Sequence, residues 1–149
     1  MRVRDLMTRD VQLIGPQDSL REAARLMADH DIGFLPVTDG ERLVGTLTDR
    51  DIAIRAVCLG KSPETGVGEA MTDDVKYCFD EDDIAEVTAN MADIQVRRLP
   101  VVDSNKRLVG VLALADVAIE GSLYEEAADA LSGISRHDGN GRADQWQGA

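Results

Sequence analysis

Apolar residues follow two rhythms along this chain, one of helical period and one of strand period. Leu20, Ala23, Ala24 and Met27 fall at i, i+3, i+4 and i+7, the spacing of one helix face. Ser19 and Glu22 stand at a capping-box spacing, so hydroxyl and carboxylate can each satisfy a free backbone amide. Ile84, Val87, Thr88 and Met91 form a second such stripe, opened by Asp83 and Glu86, with Thr88 at its edge. A short apolar strand precedes each stripe, over 11–14 and 75–79. A hairpin follows each: 34–38 with 43–47 around Asp39-Gly40-Glu41, and 99–102 with 108–112 around 103–106. Gly, Asp and Asn at these tips suit tight turns. Pro36 and Pro100 cannot donate to a ladder, so their strands are edges or are bulged there. Closing helices are expected over 49–59 and 115–122.

The order strand, helix, strand, strand, helix therefore occurs twice, and the residues repeat with it. Met7-Thr8-Arg9-Asp10-Val11 matches Met71-Thr72-Asp73-Asp74-Val75, and Leu35-Pro36-Val37 matches Leu99-Pro100-Val101, both at an offset of 64. Arg42-Leu43-Val44-Gly45 matches Arg107-Leu108-Val109-Gly110, and Asp51-Ile52-Ala53-Ile54 matches Asp116-Val117-Ala118-Ile119, at 65. One residue is thus inserted in the second hairpin turn. The similarity runs over about 2–58 and 66–122, which divides the chain into 1–62, 63–122 and a remainder, 123–149. The remainder holds a short helix over 124–131 and, from Ser135, a polar tail read as disordered, with Trp146 packed against nothing. A unit of about 55 residues is marginal alone, whereas two can bury their apolar faces together. The fold class is α/β of the α+β kind, two β-α-β-β-α repeats.

Composition narrows the function. Of 149 residues, 44% are hydrophobic and only 3% aromatic, so the core is aliphatic. A net charge of −12 repels phosphate backbones and anionic lipid, which argues against nucleic-acid and membrane partners. Met1-Arg2-Val3-Arg4-Asp5 has no apolar signal core, and the longest apolar stretch, 108–115, falls short of the ~20 residues of a membrane helix. Both predict a cytoplasmic chain. Cys58 and Cys78 form no C-x-x-C pair. They read first as buried small hydrophobes, second as a redox pair, and last as part of a zinc site with His30 and His137. His30 ends the first helix, where a cation suits the dipole.

Met-Thr before the first strand, an apolar-Pro-Val strand, and Leu-Val-Gly followed by Thr-x-x-Asp at a helix start together resemble the CBS-domain pattern. Two copies in tandem resemble a Bateman module, over about 120 of the 149 residues. The resemblance implies two repeats related by a pseudo-two-fold axis, with clefts between them that take AMP, ADP, ATP or related adenosine compounds. It also implies a homodimer assembled through helices.

In Thr48-Asp49-Arg50-Asp51 a strand ends and a helix begins, so free backbone amides are available to an anion. By the resemblance, Thr48 holds a phosphate and Asp51 the ribose hydroxyls. The competing reading makes Thr48 a helix cap and Asp51 a first-turn acid. The second copy, Ala113-Leu114-Ala115-Asp116, keeps Asp116 but lacks the hydroxyl. There Arg97 and Arg98, aligned with Gly33 and Phe34, could hold a phosphate or simply be solvated. Val11 and Pro36 in the first copy, and Val75 and Pro100 in the second, are candidates to flank the base, against core packing. Arg50 and Arg55 could reach a phosphate or a dimer interface.

No Ser-His-Asp order, metal cluster or P-loop is present, so no catalytic residue is assigned. The expected function is regulatory: an adenine nucleotide as ligand, no obligatory cofactor, and an effector protein that reads the change. The alternatives are a ligand-free scaffold using helix faces such as Ile52-Ala53-Ala56-Val57, or a redox or metal sensor through Cys58 and Cys78.

Overall fold

The computed structural model describes residues 1–119 and 128–134. The first repeat supplies α1 (Leu20–His30), β1 (Phe34–Asp39), β2 (Arg42–Thr48) and α2 (Asp49–Ile52), which runs on as a π-helical turn, Ala53–Val57. The second supplies β3 (Cys78–Phe79), α3 (Ile84–Ile94), β4 (Arg98–Val102), β5 (Leu108–Ala113) and α4 (Leu114–Ile119). Residues 128–134 are helical. The start of the helix expected over 124–131, and the tail with Trp146, lie outside the described residues.

The two long helices are built alike. Ser19 Oγ accepts from the Glu22 amide at 3.1 Å, and Asp83 accepts from the Glu86 amide at 3.2 Å. Both helices end on a left-handed residue, Asp31 (φ 52°) and Gln95 (φ 60°). The following amides then turn back, Ile32 onto the Met27 carbonyl and Val96 onto that of Met91. Leu20, Ala23 and Met27 are buried as the stripe predicts, but Ala24 is exposed and Leu26 packs against the core instead. Thr88 is not at an edge: it is fully buried, its hydroxyl donating to the Ile84 carbonyl at 2.7 Å. That bond removes the cost of placing an oxygen in an aliphatic core.

The strands expected over 11–14 and 75–79 are much shorter. Ile14 makes a single parallel bridge to Val37, and β3 has only Cys78 and Phe79, parallel to Val101 and Val102. The prolines explain this. In these registers the next ladder bond toward the N-terminus would have to come from the nitrogen of Pro36 or Pro100, which has no proton. Neighbouring β1 and β2 pair antiparallel with a bulge at Val37/Thr38 that leaves Val44 as the extra residue. Gly40 (φ 64°) supplies the positive φ at the hairpin tip.

The chain forms two compact units, and their borders do not follow the repeat. Among the described residues, unit 1 comprises 1–10, 77–105, 109–119 and 128–134; unit 2 comprises 11–76 and 106–108. Each repeat thus sends its leading segment into the unit built on the other repeat's hairpin. In unit 2, Thr72 and Thr46 exchange backbone bonds of 2.9 and 2.8 Å; in unit 1, Thr8 and Val111 exchange two of 2.9 Å. The Met-Thr and Leu-Val-Gly blocks meet at these bridges. A β-carbon on Gly45 would lie 2.7 Å from Met71 Sδ and 2.9 Å from the Thr72 oxygen. One on Gly110 would lie 2.7 Å from the Thr8 oxygen and 2.9 Å from Met7 Sδ. Glycine is required at both because another backbone passes there.

Each unit has its own aliphatic core. Unit 2 buries Ile14, Leu20, Met27, Leu35, Val37, Leu47 and Val67; unit 1 buries Val3, Ile84, Met91, Leu99, Val101, Leu112 and Val117. At about 2 kcal/mol for each large side chain removed from water, these clusters are the main source of stability. Cys78 belongs to the second cluster, but Cys58 is exposed, contrary to the reading of both as core residues. Cys58 follows the π-helical turn two residues past the buried Ala56, which puts it on the opposite side of the helix. Both thiols are free.

Candidate functional site

The junction of β2 and α2 in unit 2 is closed by a reciprocal pair of bonds. Thr48 Oγ1 accepts from the Asp51 amide at 3.0 Å, and Asp51 Oδ2 accepts from the Thr48 amide at 3.0 Å. The helix-cap reading of these residues is therefore realised. It does not consume them, since the threonine hydroxyl still has its proton to donate and Asp51 Oδ1 is not used by the box. Asp51 Oδ1 lies 3.9 Å from Arg55 Nε, one turn along, and Arg55 also donates to the Met71 carbonyl at 3.2 Å. The carboxylate side chain is 16% exposed, open enough to accept from a ligand while its orientation is held.

Asp49 occupies the outer side of the same junction. Its amide donates to the Gly33 carbonyl at 3.0 Å, and its Oδ1 accepts from the Arg50 amide at 2.8 Å. The carboxylate lies over Gly33, where a β-carbon would be 2.7 Å from Oδ2. Asp49 and Arg50 are both exposed. The expected residues of this unit divide by burial: Pro36 is buried in β1, Val11 and Val75 are half-buried, and Thr48 and Asp51 are half-buried. Val75 belongs to unit 2, whereas Pro100, its expected companion, belongs to unit 1.

Unit 1 carries the counterpart, loosened. Asp116 Oδ2 accepts from the Ala113 amide at only 3.4 Å, and Ala113 offers no hydroxyl in return. The Leu114 amide donates to the Arg97 carbonyl at 3.0 Å, the same bond that Asp49 makes to Gly33. This confirms the alignment of Arg97 with Gly33. Arg97 and Arg98 are exposed, Pro100 is buried in β4, and Asp116 is half-buried.

The family model described as CBS domain matches residues 3–57 and 67–121. The chain belongs to the CBS-domain family. CBS pairs are regulatory modules, and this one has the mixed helix and strand content and small sheets of an α+β fold. Among curated relatives, the CBS domain-containing protein YhcV of Bacillus subtilis is 40% identical over 133 residues, 89% of this chain and 94% of that protein. A crystal structure of Hypoxic Response Protein I with two coordinated zinc ions is 40% identical, with a TM-score of 0.73, over 80% of this chain and 98% of that one. A crystal structure of CBSX2 in complex with AMP is 26% identical, with a TM-score of 0.73, over 83% of this chain and 98% of that one.

The zinc in one relative makes the donor set of this CBS pair worth testing. Among the described residues no three His, Cys, Asp or Glu side chains come together as a metal centre. Burial, and then the nearby Asp82, push the Cys78 thiol up to about 12, so it stays protonated and is a poor ligand. The described residues do not fit such a site. Among them, too, no helix is long and apolar enough to cross a membrane.

Two features of the junction escaped the sequence reading. Arg55 was expected at a phosphate or a dimer interface, and its contact with Asp51, which the i, i+4 spacing signals, went unread. The pairing of Asp49 with Gly33 is long-range, and only the exchange of both residues in the second repeat hints at it.

Proposed function

We propose that this CBS pair is a cytoplasmic regulatory sensor of an adenosine compound such as AMP, ADP or ATP, held at the Thr48–Asp51 junction. The observation that carries the reading is the reciprocal Thr48/Asp51 box. It fixes a hydroxyl donor and a carboxylate acceptor one helical turn apart; in this reading Thr48 takes a phosphate and Asp51 the ribose hydroxyls. The AMP complex of a relative of the same fold supports the ligand class. Val11 and Pro36 are the proposed neighbours of the base at this junction; at the second junction Asp116 is the proposed ribose acceptor and Pro100 the proposed neighbour of the base. No catalytic step is assigned to the chain; a partner protein reads the bound state. A ligand biases such a module only by its differential affinity for the two arrangements.

We further propose a homodimer formed through the helices. What supports it is a groove of about 250 Å³ in unit 2, bordered by Leu20, Ala24, Ile52, Ala56 and Val57, with Val57 69% exposed and Leu59 65% exposed. Exposed aliphatic area of this kind marks assembly faces.

The test is thermal stability with adenine and guanine nucleotides, S-adenosylmethionine and NAD, in wild type and Asp51→Ala. A ligand at 100 times its Kd adds about 2.7 kcal/mol, a melting shift of roughly 5–10 °C. A shift with one adenosine compound that Asp51→Ala abolishes is expected. No shift with any compound, in folded and unoccupied protein, leaves the scaffold reading in its place.

A further inference from the structure

One helix face is open in unit 2 and closed in unit 1. On α1 it comprises Arg21, Ala24 and Ala28, all exposed. The residues aligned with them on α3 are Ala85 and Ala92, both half-buried, and Thr88, fully buried. The closing helices agree. Ile52 is half-buried and Ala53 exposed, whereas Val117 and Ala118, at the same places of the second repeat, are buried and half-buried. The helix at 128–134 closes the face in unit 1. Its Ala130 and Ile134, 1% and 3% exposed, join the core cluster of Ile84 and Val117. A β-carbon on Gly133 would lie 3.7 Å from that of Ala92. In unit 2 the same place is the open groove of about 250 Å³ bordered by Leu20, Ala24, Ile52, Ala56 and Val57.

The groove lies beside its own complement. Val57 and Leu59 stand in water at its border, so one surface carries both a hollow and two projecting aliphatic side chains. Such a surface suits a two-fold contact, in which each copy fills the hollow of the other. The charge of the rim permits it. Arg21 and Lys61 pair with Glu64 and Glu69 at 3.7 and 4.0 Å, so the rim is locally neutral on a chain whose net charge of −12 otherwise opposes the approach of a second copy.

We propose that a second copy of the chain docks on unit 2 alone, face to face across this groove, and that the helix at 128–134 takes the place of a partner on the matching face of unit 1. This rests on the homodimer reading above and names the surface that the dimer uses and the one that it leaves out.

Sedimentation velocity over a range of protein concentrations, in wild type, Ala24→Glu, Val57→Glu and Leu131→Glu, tests it. All three residues are exposed, so the substitutions leave both cores intact. Ala24→Glu and Val57→Glu are expected to raise the dimer Kd by more than about tenfold, and Leu131→Glu, on the exposed side of the covering helix, to stay within about twofold. Cys58 adds a second readout, because it is exposed between Val57 and Leu59 while Cys78 is buried. Alkylation of Cys58 by iodoacetamide is expected to slow as wild type dimerises and to keep the monomer rate in Val57→Glu. If the dimer survives both unit 2 substitutions at wild-type strength, if Cys58 reacts at one rate in monomer and dimer, or if Leu131→Glu weakens the dimer as much as Val57→Glu does, docking on unit 2 alone is wrong and the homodimer reading stands. If wild type stays monomeric throughout, both fall together.

Discussion

The two strand-to-helix junctions of this chain share one pattern and differ in how tightly they are built. At Thr48–Asp51 two side chains cap one another's backbone at 3.0 Å each, and Arg55 backs the carboxylate. At Ala113–Asp116 one side chain reaches one amide at 3.4 Å. The scaffold beneath each is the same: a Met-Thr segment bridged to the hairpin's second strand, a glycine that lets it approach, and a proline that stops the neighbouring strand. The frame is the same in both while the polar groups displayed on it differ. That division separates positions that make the fold from positions proposed to choose a ligand.

The frame is where substitutions act most strongly, and equally in both units. Gly45→Ala and Gly110→Ala each drive a methyl group into a passing backbone oxygen and a methionine sulfur. Each is expected to cost about 3 kcal/mol in denaturant unfolding. A large loss at one glycine with none at the other would break the equivalence of the two bridges.

Position 78 sharpens the contrast on the apolar side. Unit 2 has Ile14 at the corresponding place, whereas unit 1 has the Cys78 thiol, each 5% exposed. Burial and then Asp82 raise that thiol from 9.0 to about 12, so the folded state holds its proton where the unfolded state has released it. This contribution to stability is complete below about pH 9 and is lost as pH rises toward 12. The loss is at most about 1.4 kcal/mol per pH unit. Melting curves across that range should flatten in Cys78→Val, and an unchanged alkaline slope would place the titration elsewhere.

The caps themselves give the smallest effect. Thr48→Ala should cost about 1 kcal/mol, and Ala113→Thr should gain a part of that by restoring the missing half of the box. If Ala113→Thr is neutral or destabilising, the second junction is not a relaxed copy of the first but one reshaped around Leu114 and Arg97.

Much of this was legible in the sequence because repetition tests every assignment twice. The helical stripes, hairpins and four motif blocks could be read locally, and the family followed from their order. The shortened first strands were not. They depend on a nitrogen of Pro36 or Pro100 facing a strand distant in sequence. The exchange of leading segments was likewise hidden, because Met7-Thr8 and Gly110-Val111 meet from opposite ends of the repeated region. At the site, Thr48 and Asp51 were visible as a cap and as a possible ligand pair, since one spacing serves both. Asp49 was overlooked because its meaning lies in the bare Gly33 beneath it.

The central claim is that Thr48 and Asp51 hold an adenosine compound. Calorimetric titration of AMP into wild type, Asp51→Ala and Asp116→Ala, each shown to be folded, tests it most directly. The account predicts a binding isotherm that Asp51→Ala removes and Asp116→Ala leaves in place. AMP binding of wild-type strength in Asp51→Ala would contradict it.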